Sequence, residues 1–188
     1  MVKVQDKQKA ILEAAVSVFA ARGFWNTPTS LISKTAGVAD GTLFNYFATK
    51  DDLINEVYFD TKRELAQRLL ADLSKYDSLK DKMRHFWNEY IDWGAANLDK
   101  FKVLHQIEAS YEIDETVKAQ CMALFGDLEQ LLSESIRKGE VLDYPADYVA
   151  ALVDNQAVMT VQFITTSEDK QVDYKTIGFD ILWNGVAG

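Results

Sequence analysis

Apolar residues recur at helical spacing along most of this chain, and that pattern predicts helices nearly throughout. Ile11, Ala14-Ala15, Val18 and Phe19 share one face of a first helix over 7–23, which Gly23 ends. Two short helices follow between Thr27 and Phe47. A long fourth helix begins after Thr49, with Asp51-Asp52 at the positive end of its dipole and the stripe Leu53-Ile54, Val57-Tyr58, Leu65, Leu69 and Leu73. The fifth starts near Ser78 and carries Met83, Phe86-Trp87, Tyr90-Ile91 and Trp93-Gly94, and a sixth spans 99–111. The seventh is expected to be one long helix over 114–138, stopped by Gly139. The eighth, after Tyr144-Pro145, carries Val149, Leu152-Val153, Ala157, Val161 and Ile164. The ninth carries Ile177, Phe179, Ile181-Leu182 and Trp183, and the polar run 165–173 between these two is a loop. The fold expected is all-α, with about nine helices.

Residues 27–50, TPTSLISKTAGVADGTLFNYFATK, hold the most specific signal. Thr27 is placed to cap a short helix and Pro28 to occupy its first position, where a missing N–H costs nothing. Leu31, Ile32 and Thr35-Ala36 continue it, and Gly37 falls where the chain must reverse. Asp40 is expected to cap the next helix, with Leu43, Phe44 and Phe47 facing inward and Gly41, Thr42, Asn45 and Tyr46 outward. Two helices joined by a short turn containing glycine form a helix-turn-helix, whose second helix enters the DNA major groove.

With its flanks the segment resembles the TetR family, the tetracycline-repressor-like regulators of bacteria. The resemblance rests on Ile11-Leu12-Glu13-Ala14-Ala15, Phe19, Gly23-Phe24, Thr27, Ile32, Ala36-Gly37-Val38, Gly41-Thr42-Leu43, Tyr46-Phe47, Lys50 and Leu53, in one unbroken register. It covers about the first third of the chain. It implies a three-helix DNA-binding head over 1–50 and an effector-binding and dimerisation body, a helical bundle, over 51–188. It also implies DNA contacts from Thr27, Thr29, Lys34, Asp40, Gly41, Thr42, Asn45, Tyr46 and Lys50. Tyr46 matches the family's phosphate-contacting tyrosine, although its ring could also simply cover the core. Lys50 fits a phosphate anchor, and Asn45 can pair bidentately with adenine. Asp40 and Phe44 depart from the family pattern, one adding negative charge near phosphates and the other lacking a tyrosine hydroxyl.

Charge changes the picture only in its distribution. The 188 residues carry a net −9, which repels phosphate overall. Residues 1–50 nevertheless hold six basic against three acidic side chains, and the rest 14 against 26. Screening beyond about 8 Å lets a mildly basic head act locally. A 48% hydrophobic content allows a sizeable core. No apolar run approaches the roughly 20 residues that span a bilayer, the N-terminus lacks the apolar core of a signal peptide, and the lone Cys121 cannot form an internal disulfide. A cytoplasmic location and no membrane partner are expected.

The body carries a second set of candidates. Trp87, Tyr90, Trp93, His105, Tyr111, Phe125, Asn155 and Met159 are candidate pocket residues for a small-molecule effector, although an aromatic stripe at this spacing also serves as plain core. Asn155 and Gln156, within an apolar run, are expected to be buried amides needing partners. Val153, Ala157, Val161, Ile177 and Ile181 are candidates for a homodimer interface between the last two helices and their symmetry mates. No catalytic motif, phosphate-cradling glycine loop or metal-ligand cluster is present, so no catalytic residue, metal or cofactor is assigned. His85 and Glu89 read as a polar surface pair, and Cys121 as a small core residue. The function expected is a homodimeric one-component regulator, a repressor released from a palindromic double-stranded operator by a small effector. A helical interaction protein working through protein contacts is the alternative reading, and an α-helical hydrolase a third.

Overall fold

The computed structural model describes residues 4–110 and 113–188. It is all-α as expected: α1 (Val4–Arg22), α2 (Thr29–Thr35), α3 (Asp40–Tyr46), α4 (Lys50–Leu70), α5 (Leu79–Ala96), α6 (Leu98–Ser110), α7 (Glu115–Ala123), α8 (Gly126–Arg137), α9 (Ala146–Thr166) and α10 (Tyr174–Val186). A short 3-10 turn, Leu73–Lys75, follows α4. There are thus ten α-helices among the described residues where about nine were expected. The extra one arises because the single helix expected over 114–138 is two. Phe125 leaves the helical region at φ −107°, ψ 12°, and Gly126 after it is a poor helix former. The apolar period continues across the break, so periodicity alone does not reveal it.

The chain forms two compact units, Met1–Glu64 with Asn97–Ala123, and Leu65–Ala96 with Leu124–Gly188. In the first, α1 packs against α2, α3 and α6, and Ile11, Ala15, Phe19, Ile32, Leu43 and Leu53 are fully buried. Gly23 ends α1 at φ +75°, its N–H donating to the Phe19 carbonyl at 2.8 Å. A reciprocal capping box opens α4: the Asp52 N–H donates to Thr49 Oγ1 at 3.0 Å, and the Thr49 N–H to Asp52 Oδ2 at 2.9 Å. Between α4 and α6, Lys62 pairs with Glu108 at 2.6 Å, and the Tyr58 hydroxyl donates to the same carboxylate at 3.3 Å. Cys121 is buried, as expected of a core residue, and burial pushes its thiol up to about 11.

In the second unit α5 packs against α9 and α10. The approach is close at Gly178, where an added Cβ would lie 2.7 Å from both Thr160 Oγ1 and Trp87 Cζ2. Trp87 Nε1 donates to the Lys175 carbonyl at 2.8 Å, and the Tyr90 hydroxyl to Asp154 Oδ1 at 2.9 Å, so both buried aromatics have polar partners. Asp173 caps α10 by accepting from the Thr176 N–H at 3.0 Å, which holds its carboxyl below the usual carboxylate range. His85 and Glu89 do not form the expected pair. His85 Nε2 donates to the Ala71 carbonyl at 2.7 Å, while Glu89 accepts from Arg68 Nε at 2.7 Å. The chain reversal after α4 supplies that carbonyl, and helical spacing carries no information about it. No group of three or more metal-ligating side chains occurs among the described residues.

Candidate nucleic-acid interface

α2 and α3 are each seven residues long, too short to be stable alone, and tertiary contacts fix both. Ile32 and Leu43 anchor them in the core, and Gly37 makes the turn at φ +68°. The carboxylate of Asp40 accepts a short hydrogen bond from the buried Ser33 hydroxyl, tying the start of α3 to α2. Asp40 is therefore not the cap. Ala39 occupies that position with an extended backbone, and Asp40 is the first helical residue.

Thr27 is not the cap of α2 either. Pro28 takes that position without a side-chain cap. Thr27 is buried, 1% exposed, and its hydroxyl donates to the Gly23 carbonyl at 2.7 Å. It braces the loop before α2 from behind and presents no hydroxyl to a phosphate. Phe44, expected to face inward, is 46% exposed. Leu43 on α3 and Phe47 just after it are buried, whereas Phe44, one position on from Leu43, is turned about 100° away from it.

The remaining candidates lie at the surface. Thr29 and Thr42 are half-buried, while Lys34, Gly41 and Asn45 are exposed. A Cβ on Gly41 would meet nothing within 4 Å, and its φ is not positive. Nothing inside the chain requires a glycine there. Tyr46 is half-buried and lines a polar groove of about 390 Å³ with Gln8, Asp52, Asn55, Glu56 and Asp114. Lys50 Nζ donates to the Trp25 carbonyl at 3.0 Å, one of its three donors. Trp25 is 60% exposed, and helical periodicity does not reach it because it sits in the α1–α2 loop. A tryptophan in the short stretch between Gly23 and Thr27, beyond the end of the first helix, was the available signal.

The body candidates separate into inner and outer groups. Trp87, Tyr90 and Trp93 are buried on α5. Phe125 is half-buried at the α7–α8 break. His105 belongs to the first unit, where Nδ1 donates to the Phe101 carbonyl at 2.7 Å and its ring lies 4.3 Å from the Phe101 ring. Tyr111 lies outside the described residues. Asn155 is not a buried amide: it is exposed, with Nδ2 donating to the Ala151 carbonyl at 2.8 Å. Met159 is exposed as well, so both leave the set of inner candidates.

Two of the proposed dimer contacts are corrected for the opposite reason. Ala157 and Val161 are buried in the core of their own unit and unavailable to a second chain. Val153 is half-buried, whereas Ile177 and Ile181 are exposed. The outward apolar stripe of α9 is instead Tyr148, Leu152, Met159 and Phe163. α9 is apolar on several faces, and its sequence does not indicate which one points outward.

A glycine-turned helix pair, pinned by a buried core and showing an unpacked face on its second helix, defines a helix-turn-helix DNA-binding unit. Residues 11–57 match the family model for bacterial regulatory proteins, tetR family. The fatty acid metabolism regulator protein of Bacillus subtilis is 27% identical over 143 residues, 75% of this chain and 74% of its own. A solved chain from Shewanella sp. PV-4, assigned to the same family, superposes with a TM-score of 0.88 at 27% identity, over 97% of this chain and 98% of that one. The transcriptional regulator FadR of Bacillus subtilis, solved in complex with stearoyl-CoA, shares the fold with a TM-score of 0.72 at 21% identity, over 94% and 98%. Residues 11–57 thus match the DNA-binding segment of the tetR family, and the chain as a whole is similar in fold to solved regulators of that family.

Proposed function

We propose that the protein is a homodimeric, cytoplasmic repressor that grips a palindromic operator through residues 1–50 and lets go when residues 51–188 bind a small-molecule effector. The observation that carries the DNA reading is the outer face of α3. Gly41 and Asn45 are exposed there beside the half-buried Thr42, and the open space around Gly41 favours close approach by something outside the chain. Asn45 reads a base edge and Lys50 holds a phosphate, with Thr29, Lys34 and Tyr46 positioning the strand. Backbone contacts fix register and Asn45 supplies sequence preference.

Dimerisation is proposed through the outward faces of α9 and α10, centred on Leu152, Met159, Phe163, Ile177 and Ile181. Linking two heads makes the second contact effectively intramolecular, which a head with so few cations needs. An effector that binds better to the dimer whose heads do not match the operator shifts the population away from DNA. The Bacillus relative named for fatty acid metabolism and the fold relative bound to stearoyl-CoA direct the first ligand trials to long-chain acyl thioesters.

The test begins with duplexes enriched from a random library by the wild-type protein. Asn45→Ala should relax preference at one base pair per half-site, at about 1–3 kcal/mol. Lys50→Ala should weaken all duplexes alike and flatten the salt dependence by about one unit per subunit. Equal weakening of enriched and random DNA by Asn45→Ala removes that residue from base reading, and failure to enrich any duplex removes the DNA reading itself.

A further inference from the structure

The DNA-facing surface carries an aromatic groove that the residues assigned above do not explain. Trp25 and Phe44 are large apolar side chains, 60% and 46% exposed. With Asn26, Pro28, Thr29 and Lys50 they line one shallow groove of about 710 Å³. The Trp25 ring is backed by the buried Phe24 ring, 5.2 Å away at 31°, and its carbonyl is held by the Lys50 ammonium at 3.0 Å. A side chain fixed from behind and left bare in front costs little entropy to dock.

Resting on the DNA reading above, we propose that Trp25, with Phe44, forms a platform for the deoxyribose-phosphate strand of duplex DNA, Trp25 acting as a positioning residue beside the Lys50 phosphate anchor. The groove reaches α3 through Phe44, the neighbour of Asn45 in sequence, and α2 through Thr29. A phosphate on the two remaining Lys50 donors lies close to Trp25, because the same ammonium already holds the Trp25 carbonyl. The charged rim takes the phosphate oxygen, and the flat rings take the C–H face of the adjoining sugar. Phe44 needs no hydroxyl for that contact, which accounts for a phenylalanine on the exposed side of the helix.

The ring is uncharged, so its contribution should be separable from that of Lys50 by salt. Against a duplex enriched by the wild-type protein, Trp25→Ala should lose about fivefold or more in affinity while the slope of log K against log salt stays unchanged. Trp25→Phe should recover part of the loss. Trp25 is the most exposed tryptophan, with Trp87 and Trp93 buried and Trp183 half-buried, so the quenching that Trp25→Phe removes reports on it. Acrylamide should quench the free wild-type protein through Trp25, and saturating duplex should protect it. The inference is overturned if Trp25 stays equally quenchable in the complex, or if Trp25→Ala binds the enriched duplex as the wild type does. A wild type that enriches no duplex fails earlier, on the DNA reading, and takes this inference with it. A wild type that binds while Trp25 remains bare defeats this inference alone.

Discussion

Replacing Ile181 by glutamate should split the proposed dimer without unfolding the chain. Ile181 is 58% exposed on α10. Full burial of an isoleucine side chain is worth about 1.5–3 kcal/mol, so covering the exposed part contributes about 1–2 kcal/mol per protomer and about 2–4 per dimer. Glutamate forfeits that and adds the cost of desolvating two like charges near a two-fold axis. Dimer dissociation should therefore become easier by about 30-fold to several-hundred-fold. Sedimentation equilibrium at micromolar concentration reads the change directly, with far-ultraviolet circular dichroism to show that the helices remain. Ala157→Glu is the contrasting variant, because Ala157 is wholly buried in its own unit and a charge there should unfold the protomer. An Ile181→Glu protein that stays as dimeric as the wild type would move the interface off this face. A monomeric wild type would remove the interface altogether.

Three further variants probe other links. Gly41→Ala should stabilise the fold by up to about 1 kcal/mol, since alanine is the better helix former and its Cβ meets nothing, yet it should weaken operator binding; a stabilised protein with unchanged affinity would show that Gly41 does not face DNA. Gly178→Ala should have the opposite sign in stability, a loss of about 1–3 kcal/mol read as a lower Tm, because the new methyl would press on Thr160 and Trp87. Cys121, with its thiol raised to about 11 from an ordinary 9.0, should resist an aromatic disulfide reagent at pH 8 until the chain is unfolded. Because the folded value lies above the unfolded one, its contribution to stability is full below about pH 9 and is lost as pH rises toward 11; fast labelling of native protein at pH 8 would contradict this burial.

Much of the fold was legible because long amphipathic helices announce themselves twice, by apolar period and by their ends. Gly23 and Gly37 sit at the reversals their positions implied, and both take positive φ. Legibility failed where the sequence signal is symmetric. The α7–α8 break preserves the apolar period, so only the backbone at Phe125 reveals it. α9 is apolar on several sides, so its sequence does not separate the buried Ala157 and Val161 from the outward Tyr148, Leu152, Met159 and Phe163. The caps lie one position away from Thr27 and Asp40, because both side chains bond elsewhere, to the Gly23 carbonyl and the Ser33 hydroxyl. Lys34, Gly41 and Asn45 lie at the surface as a contacting role requires, but Phe44 and Trp25 became visible only once the short helices were packed.

The most direct measurement on the central claim is hydroxyl-radical footprinting of a library-enriched duplex, with the stoichiometry of the complex determined in parallel. Two protomers with two-fold symmetry should protect two patches related by a palindrome. The patch centres should lie about one turn of DNA apart, roughly 34–36 Å, or wider where the dimer spans more. A single protected patch from one protomer, or protection without symmetry or sequence preference, would contradict an operator-binding dimer.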